Sequence, residues 1–147
     1  MTAVATPASA APGPFYWIVN EGNGKALLPF KHSKEPNTNI VMQSKTNEGA
    51  MHWKIGGSGT LRKLENRHSH LCARAGANDT FVLQHDCGFD GTTWIVSDRD
   101  RMWAGLPVTF ENLNRHTCLT ANGVVARTAT CVGTSTQQWR LEHVPGT

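Results

Sequence analysis

The chain has 147 residues, of which 39% are hydrophobic and 17% are charged, and its formal net charge is +3. A chain of this length buries roughly two-thirds of its unfolded surface when it folds, so a single self-sufficient domain is expected. The basic residues are scattered and no apolar run approaches the length that crosses a bilayer, so neither a nucleic-acid partner nor a membrane span is expected.

The first segment, residues 1–13, consists mainly of Ala, Pro and small polar residues, and no pattern in it would bury one face. Ala8-Ser9-Ala10 matches the cleavage end of a secretory signal, although the basic and apolar parts of such a signal are missing. We interpret residues 1–13 as an export-signal remnant, with a flexible tail as the alternative. A secreted, extracellular protein is therefore expected. Its four cysteines then suggest disulfides, in one of three connectivities: Cys72, Cys87, Cys118 and Cys131.

From residue 14 onwards the chain repeats itself three times. When the three repeats are aligned, two positions, here called columns, recur at a spacing of 46 residues. One column contains Asn20, Asn66 and Asn112, and the other contains Ala26, Cys72 and Cys118. Two aligned columns with the same offset are hard to dismiss as chance. We place the repeats at about 14–58, 59–104 and 105–147, within one domain.

Each repeat carries patterns typical of short β-strands. Apolar and polar residues alternate in the second repeat. Every repeat then contains a tryptophan that is followed two residues later by an aliphatic residue. Turn signals such as Asn122-Gly123 separate the strands, so the fold class is all-β. One copy encloses no interior, so we expect three to pack around a shared axis. The core there would contain one tryptophan from each copy, Trp53, Trp94 and Trp139.

The three copies resemble the ricin B-type β-trefoil, in which a repeat of about forty residues ends in Gln-x-Trp. The third copy keeps the whole motif as Gln137-Gln138-Trp139, whereas Met51-His52-Trp53 and Thr92-Thr93-Trp94 stand in the first two. The resemblance covers Phe15 to about Val144 and implies a single-domain β-trefoil of three internal repeats. It also implies two disulfides inside copies, Cys72 with Cys87 and Cys118 with Cys131.

The resemblance further implies sugar binding, for which the family uses an aspartate two residues after the first cysteine and an asparagine just before Gln-x-Trp. Here the aspartate column reads Leu28, Arg74 and Thr120, and the asparagine column reads Ala50, Gly91 and Thr136. Any glycan site is therefore expected to be a modified one. The third copy is the best candidate, through Thr120, Asn122, Thr136 and Gln137, unless these are ordinary polar loop residues.

Other chemistry finds little support in the sequence. No nucleophile elbow or metalloprotease motif is present, so we expect no enzyme and no cofactor. Asp98 and Asp100 are interpreted as part of a solvated charged turn. A histidine-rich stretch at 67–72, with His85 and Cys87, admits a zinc site, but a disulfide flanked by exposed histidines is favoured, and we assign no metal.

Two classes of function remain. The first is a secreted, lectin-like module that binds a glycan. The second is an adaptor subunit that binds another secreted protein in a toxin or enzyme complex, with Tyr16, Trp17 and Trp103 either as partner anchors or as caps on the barrel ends. Protease inhibition through Lys31 and Lys34 of the loop at 29–39 is a weaker alternative. The oligomeric state stays open.

Overall fold

A computed structural model describes residues 13–147, so the proposed export-signal remnant lies, except for Gly13, outside the described residues. Twelve strands fall in this part of the chain, four to a copy. The first copy contains β1 (Tyr16–Asn20), β2 (Ala26–Pro29), β3 (Ile40–Gln43) and β4 (Trp53–Ser58). The second contains β5 (Leu61–Asn66), β6 (Cys72–Ala75), β7 (Val82–His85) and β8 (Trp94–Val96). The third contains β9 (Phe110–Asn112), β10 (Cys118–Asn122), β11 (Val125–Ala129) and β12 (Trp139–His143).

The outer strands of the three copies close into a six-stranded barrel. Strand β1 pairs with β4 and β12, β5 pairs with β4 and β8, and β8 pairs with β9. A bridge between Val108 and Trp139 completes the ring. The inner strands form three hairpins that pair with one another through β3 and β11 and through two single bridges, Asn39 to Leu83 and Phe81 to Arg127. The all-β prediction is therefore confirmed, with three-fold internal symmetry.

A short helix interrupts this symmetry between the second and third copies. The charged segment expected to be a turn instead forms α1 (Arg99–Trp103), which Asp98 caps by accepting a hydrogen bond from the Arg101 backbone N–H at 3.0 Å. An aspartate at this position satisfies a backbone donor that the helix leaves free, which explains the difference from the expectation. Across residues 13–147, no helix has the length and apolar character needed to cross a membrane.

The repeated tryptophans lie at the centre of the main core and are fully buried. Each indole N–H donates to a backbone carbonyl in the β2-equivalent strand of its own copy. The pairs are Trp53 to Leu27 at 3.0 Å, Trp94 to Ala73 at 3.0 Å and Trp139 to Leu119 at 2.9 Å. Because a buried indole N–H needs a partner, these bonds fix each ring against its own hairpin.

The repeated asparagines join one copy to the next. In the second copy, the Asn66 side-chain oxygen accepts from the backbone N–H groups of His68 and Ser69, at 3.0 and 3.1 Å, and so closes the turn after β5. The Asn66 amide donates to the Ala50 carbonyl of the first copy at 2.8 Å. The same cross-copy bond recurs from Asn112 to Gly91 at 2.8 Å and from Asn20 to Thr136 at 3.0 Å. The three bonds form a closed cycle around the barrel.

Two disulfides, Cys72–Cys87 and Cys118–Cys131, span 15 and 13 residues and are the pairs that the resemblance implies. In the chain-entropy account, a loop of this length contributes about 3 kcal/mol to stability. The bonded sulfurs are unavailable as thiolate ligands, which removes the basis of the zinc alternative. In the first copy Ala26 is buried without a bridge, and the Thr46 hydroxyl contacts the Met51 sulfur at 3.2 Å instead.

We predict that Asn112→Ala lowers the free energy of unfolding by at least about 2 kcal/mol, because each buried polar group left unpaired costs about 1–3 kcal/mol. Denaturant unfolding followed by tryptophan fluorescence measures this. Asn122→Ala is the control, since Asn122 is exposed, and it should change the stability by less than about 0.5 kcal/mol. Equal effects of the two substitutions would contradict the asparagine cycle.

Candidate functional site

The pocket of the first copy is filled with apolar side chains. Leu28 and Ala50, which occupy the aspartate and asparagine columns, are both buried, and Leu28 belongs to a second apolar cluster together with Met51. Trp17 belongs to this cluster as well: it is only 8% exposed, and its indole N–H donates to the Thr46 carbonyl at 2.7 Å. Trp17 is thus packed inside this cluster, which favours its alternative interpretation as a cap on the barrel end over that of a partner anchor.

The third copy keeps its glutamine for a structural purpose. Gln137 is 1% exposed, and its amide donates to the Thr130 carbonyl at 2.8 Å and the Thr120 hydroxyl at 3.1 Å. Its side-chain oxygen accepts from the backbone N–H groups of Val132 and Gly133, at 2.8 and 3.1 Å. With both donors and both lone pairs used inside the protein, Gln137 is not available to a ligand. These bonds favour a structural role for Gln137 over direct contact with a glycan.

The other third-copy candidates offer short polar groups. The Thr120 hydroxyl, half-buried, donates to the Cys118 carbonyl at 2.8 Å. Asn122 and Thr136 are exposed, and the Thr136 hydroxyl lies 3.0 Å from that of Thr134. The loop beside them, 131–136, contains no aromatic residue. This copy therefore brings hydroxyls together without a ring on which a sugar could stack.

The second copy carries a charged arrangement that the sequence did not predict. Arg74, in the aspartate column, donates to the Asp90 carboxylate at 3.2 Å and to the Asp90 backbone carbonyl at 2.9 Å. Arg115, from the third copy, donates to the second oxygen of the same carboxylate at 2.8 Å. The hydrogen bonds from Arg115 and Arg74 hold the pKa of Asp90 below its usual range. A carboxylate is thus present in this copy, supplied from a different position.

An exposed aromatic ring lies next to this carboxylate. Phe89 is 44% exposed, its ring centroid is 4.0 Å from that of His85, and the Arg74 guanidinium lies 4.7 Å from it. The ring, its neighbouring imidazole, the carboxylate and the two guanidiniums are called the Phe89 cluster: Arg74, His85, Phe89, Asp90 and Arg115. It combines an apolar face with fixed donors and acceptors, which is the composition of a site for polar, ring-shaped ligands.

Sequence reasoning missed this cluster because it searched only the family's columns. The segment Cys87-Gly88-Phe89-Asp90 does place an aromatic residue and a carboxylate within three residues after the second cysteine, and this was the available signal. Arg115 gave no such signal. It reaches Asp90 only because the turn after β9 packs beside the second copy, where the Asn114 side chain accepts from the Gly91 backbone N–H at 2.9 Å.

The remaining candidates fall in two other places. The Trp103 side chain is 44% exposed, and its ring lies 5.7 Å from that of Tyr16. Tyr16 is half-buried against the core, and burial raises its pKa.

In the loop at 29–39, Lys31 has a left-handed backbone with a φ of 54°. The Gln84 amide holds this loop in place by donating to the carbonyls of Ser33 and Glu35, at 2.8 and 2.9 Å. That loop does not present Lys31 in an extended segment.

Comparison with known proteins gives matches to solved structures only: no family model and no curated protein matches the sequence. ThreeFoil, a designed 3-fold symmetric protein, is 22% identical over 86% of this chain and 96% of its own, with a TM-score of 0.76. The C-half of an earthworm R-type lectin, solved in complex with GalNAc, is 17% identical over 90% of this chain and 100% of its own, with a TM-score of 0.69. The chain has the β-trefoil fold.

Two further similarities bear on how such a trefoil is used. Cytolethal distending toxin from Actinobacillus actinomycetemcomitans is 15% identical over 90% of this trefoil and 92% of the matched chain, with a TM-score of 0.72. An exo-β-1,3-galactanase from Clostridium thermocellum is 18% identical over 90% of the trefoil, with a TM-score of 0.76, but the trefoil spans only 31% of that chain. The fold therefore occurs both as a separate chain and as part of longer proteins.

Proposed function

We propose that this ricin B-like β-trefoil is a secreted, non-catalytic module that binds a glycan through the Phe89 cluster of its second copy. The observation that carries the proposal is the exposed Phe89 ring beside a carboxylate that two guanidiniums hold in place. Sugars present apolar ring faces and a set of hydroxyls. An aromatic ring covers the first, and charged acceptors and donors bind the second.

The charges of the cluster suit hydroxyl recognition. Each oxygen of Asp90 accepts one arginine hydrogen bond, which leaves further lone pairs for sugar O–H groups. The lowered pKa keeps this carboxylate ionised below the usual range of aspartate, and hydrogen bonds to an ionised acceptor are stronger than neutral ones. The cluster thus supplies the acceptor that the family's aspartate would supply, although Arg74 stands in the aspartate column.

The other two copies are weaker candidates for the same function. Apolar side chains occupy the first pocket, and the third offers Thr120, Asn122 and Thr136 without an aromatic partner. Millimolar binding of a monosaccharide corresponds to only about 4 kcal/mol, so the loss of one stacking or hydrogen-bonding contact decides whether a site functions. Export is supported by the two disulfides, since such bonds persist in oxidising compartments.

The test is a glycan array probed with the oxidised chain and competed with free sugar. We predict that Phe89→Ala reduces competable binding at least tenfold, because the ring supplies the apolar contact. The matched control is the third-copy variant Thr120→Ala/Asn122→Ala/Thr136→Ala, which should bind like the wild type. Binding lost only in the third-copy variant would move the site there, and no competable binding by the wild type would refute the proposal.

A second candidate function rests on Trp103. This ring is largely exposed at the end of α1, and the Arg62 guanidinium lies 5.1 Å from it, so it presents an amphipathic anchor of the kind that dominates protein interfaces. The similarity to a chain of cytolethal distending toxin is compatible with an adaptor subunit. In that case the partner is another secreted protein, and the Phe89 cluster is not its binding site.

For the adaptor, we predict that a partner recovered with the tagged chain from native culture supernatant is lost when Trp103→Ala replaces the wild type. Hot-spot aromatics of this kind contribute about 2 kcal/mol or more, which is roughly a thirtyfold change in affinity. The Phe89→Ala variant serves as the comparison and should retain the partner. Recovery of the chain alone, or equal loss in both variants, argues against this function.

A further inference from the structure

A groove of about 880 Å³ lies between the second and third copies, beyond the Phe89 cluster. One wall is the turn that joins β6 to β7, with Asn78 and Thr80, and the other is formed by Asn114, Thr128 and Thr130 of the third copy. The volume is within the range of about 300–1,000 Å³ that is typical of ligand sites. Six of its eleven lining residues are asparagines or threonines.

Arg115 connects the groove to the Phe89 cluster. Its Nη2 donates to the Asp90 carboxylate at 2.8 Å, and its Nε donates to the Gly76 carbonyl on the groove wall at 3.1 Å. Asn114, which also lines the groove, is bonded through its side-chain oxygen to the backbone N–H of Gly91, the residue after Asp90. The two regions are therefore neighbouring parts of one surface.

The groove wall is rigidly built at this junction. A Cβ atom on Gly76 would lie 2.2 Å from the Asp79 side-chain oxygen, and a Cβ on Gly91 would lie 2.7 Å from the Ala75 carbonyl. Gly91 also has a φ of +79°, a conformation that favours glycine. The backbone on both sides of Arg115 is thus closely packed.

The polar lining is not imposed by the fold. The corresponding groove between the third and first copies has a volume of about 420 Å³ and is lined largely by apolar side chains, among them Phe30, Val41 and Val124. The same backbone position therefore carries opposite chemistry in two copies. Thr117 of the polar groove has a buried hydroxyl that lacks a hydrogen-bond partner within residues 13–147.

We propose that the groove is a second sugar subsite and that the ligand is a neutral oligosaccharide extending from Phe89 past Arg115 into the groove. This inference rests on the proposed function of the Phe89 cluster. The two charged side chains of the lining have partners inside the protein, since Arg115 bonds to Asp90 and the Asp79 carboxylate accepts from the Phe81 backbone N–H at 2.9 Å. What remains for a ligand is amide and hydroxyl groups, which pair with sugar hydroxyls rather than with an anionic chain.

The experiment is calorimetry with β-1,3-linked galacto-oligosaccharides of one to four residues as the probes. Ala129→Trp places a large side chain in the groove, and Ser44→Trp, at the equivalent position of the apolar groove, is the matched control. We expect affinity to rise at least tenfold from galactose to the trisaccharide in the wild type and in Ser44→Trp. In Ala129→Trp this rise should disappear while galactose binding is unchanged.

The outcomes separate the two proposals. Equal affinity for all four probes, with galactose binding lost in Phe89→Ala, overturns the groove and leaves the proposed function standing. A chain-length gain that survives in Ala129→Trp also overturns the groove. Failure of every probe to bind overturns both the groove and this ligand class.

Discussion

The structure depends on the cycle of hydrogen bonds made by three buried asparagines. Each of them closes its own turn and donates to a backbone carbonyl of the preceding copy, at Ala50, Gly91 and Thr136. These acceptor residues stand where ricin B-type trefoils, which the sequence resembles, have a sugar-binding asparagine. Because the bond uses the main chain, the side chain at this column is free to change. The fold is therefore compatible with different side chains at these three positions.

Main-chain hydrogen bonds that leave the surface side chains free to vary also explain why the three pockets differ. Tryptophan indoles bond to backbone carbonyls in every copy, and the residue two positions before each tryptophan holds the preceding loop, whether it is Gln137 or Thr92. Around this common frame, the first pocket is packed with apolar side chains and the third keeps a few hydroxyls. In the second, two arginines and Asp90 form a new polar arrangement beside Phe89.

Much of the fold was predictable because the repeated columns are the residues that hold it. Asparagines that recur at a fixed spacing, and a tryptophan near the end of each copy, must occupy equivalent places, so the sequence reveals a three-fold all-β barrel. The site was less accessible for a physical reason. The bond from Arg115 to Asp90 joins different copies, and local sequence does not record which turns pack together. Nor does aromatic character distinguish the buried Trp17 from the exposed Trp103.

The measurement that tests the central claim most directly is a ¹H–¹⁵N correlation spectrum of the chain titrated with the free sugar that competes for its binding on the glycan array. The account predicts saturable shifts of the backbone amides from Gly88 to Gly91 and of the Arg115 side chain, with the amides from Gly133 to Thr136 unmoved. Saturable shifts confined to Gly133–Thr136 would place the sugar in the third copy instead. Such a result would contradict the claim that the second copy rebuilt its pocket around Phe89.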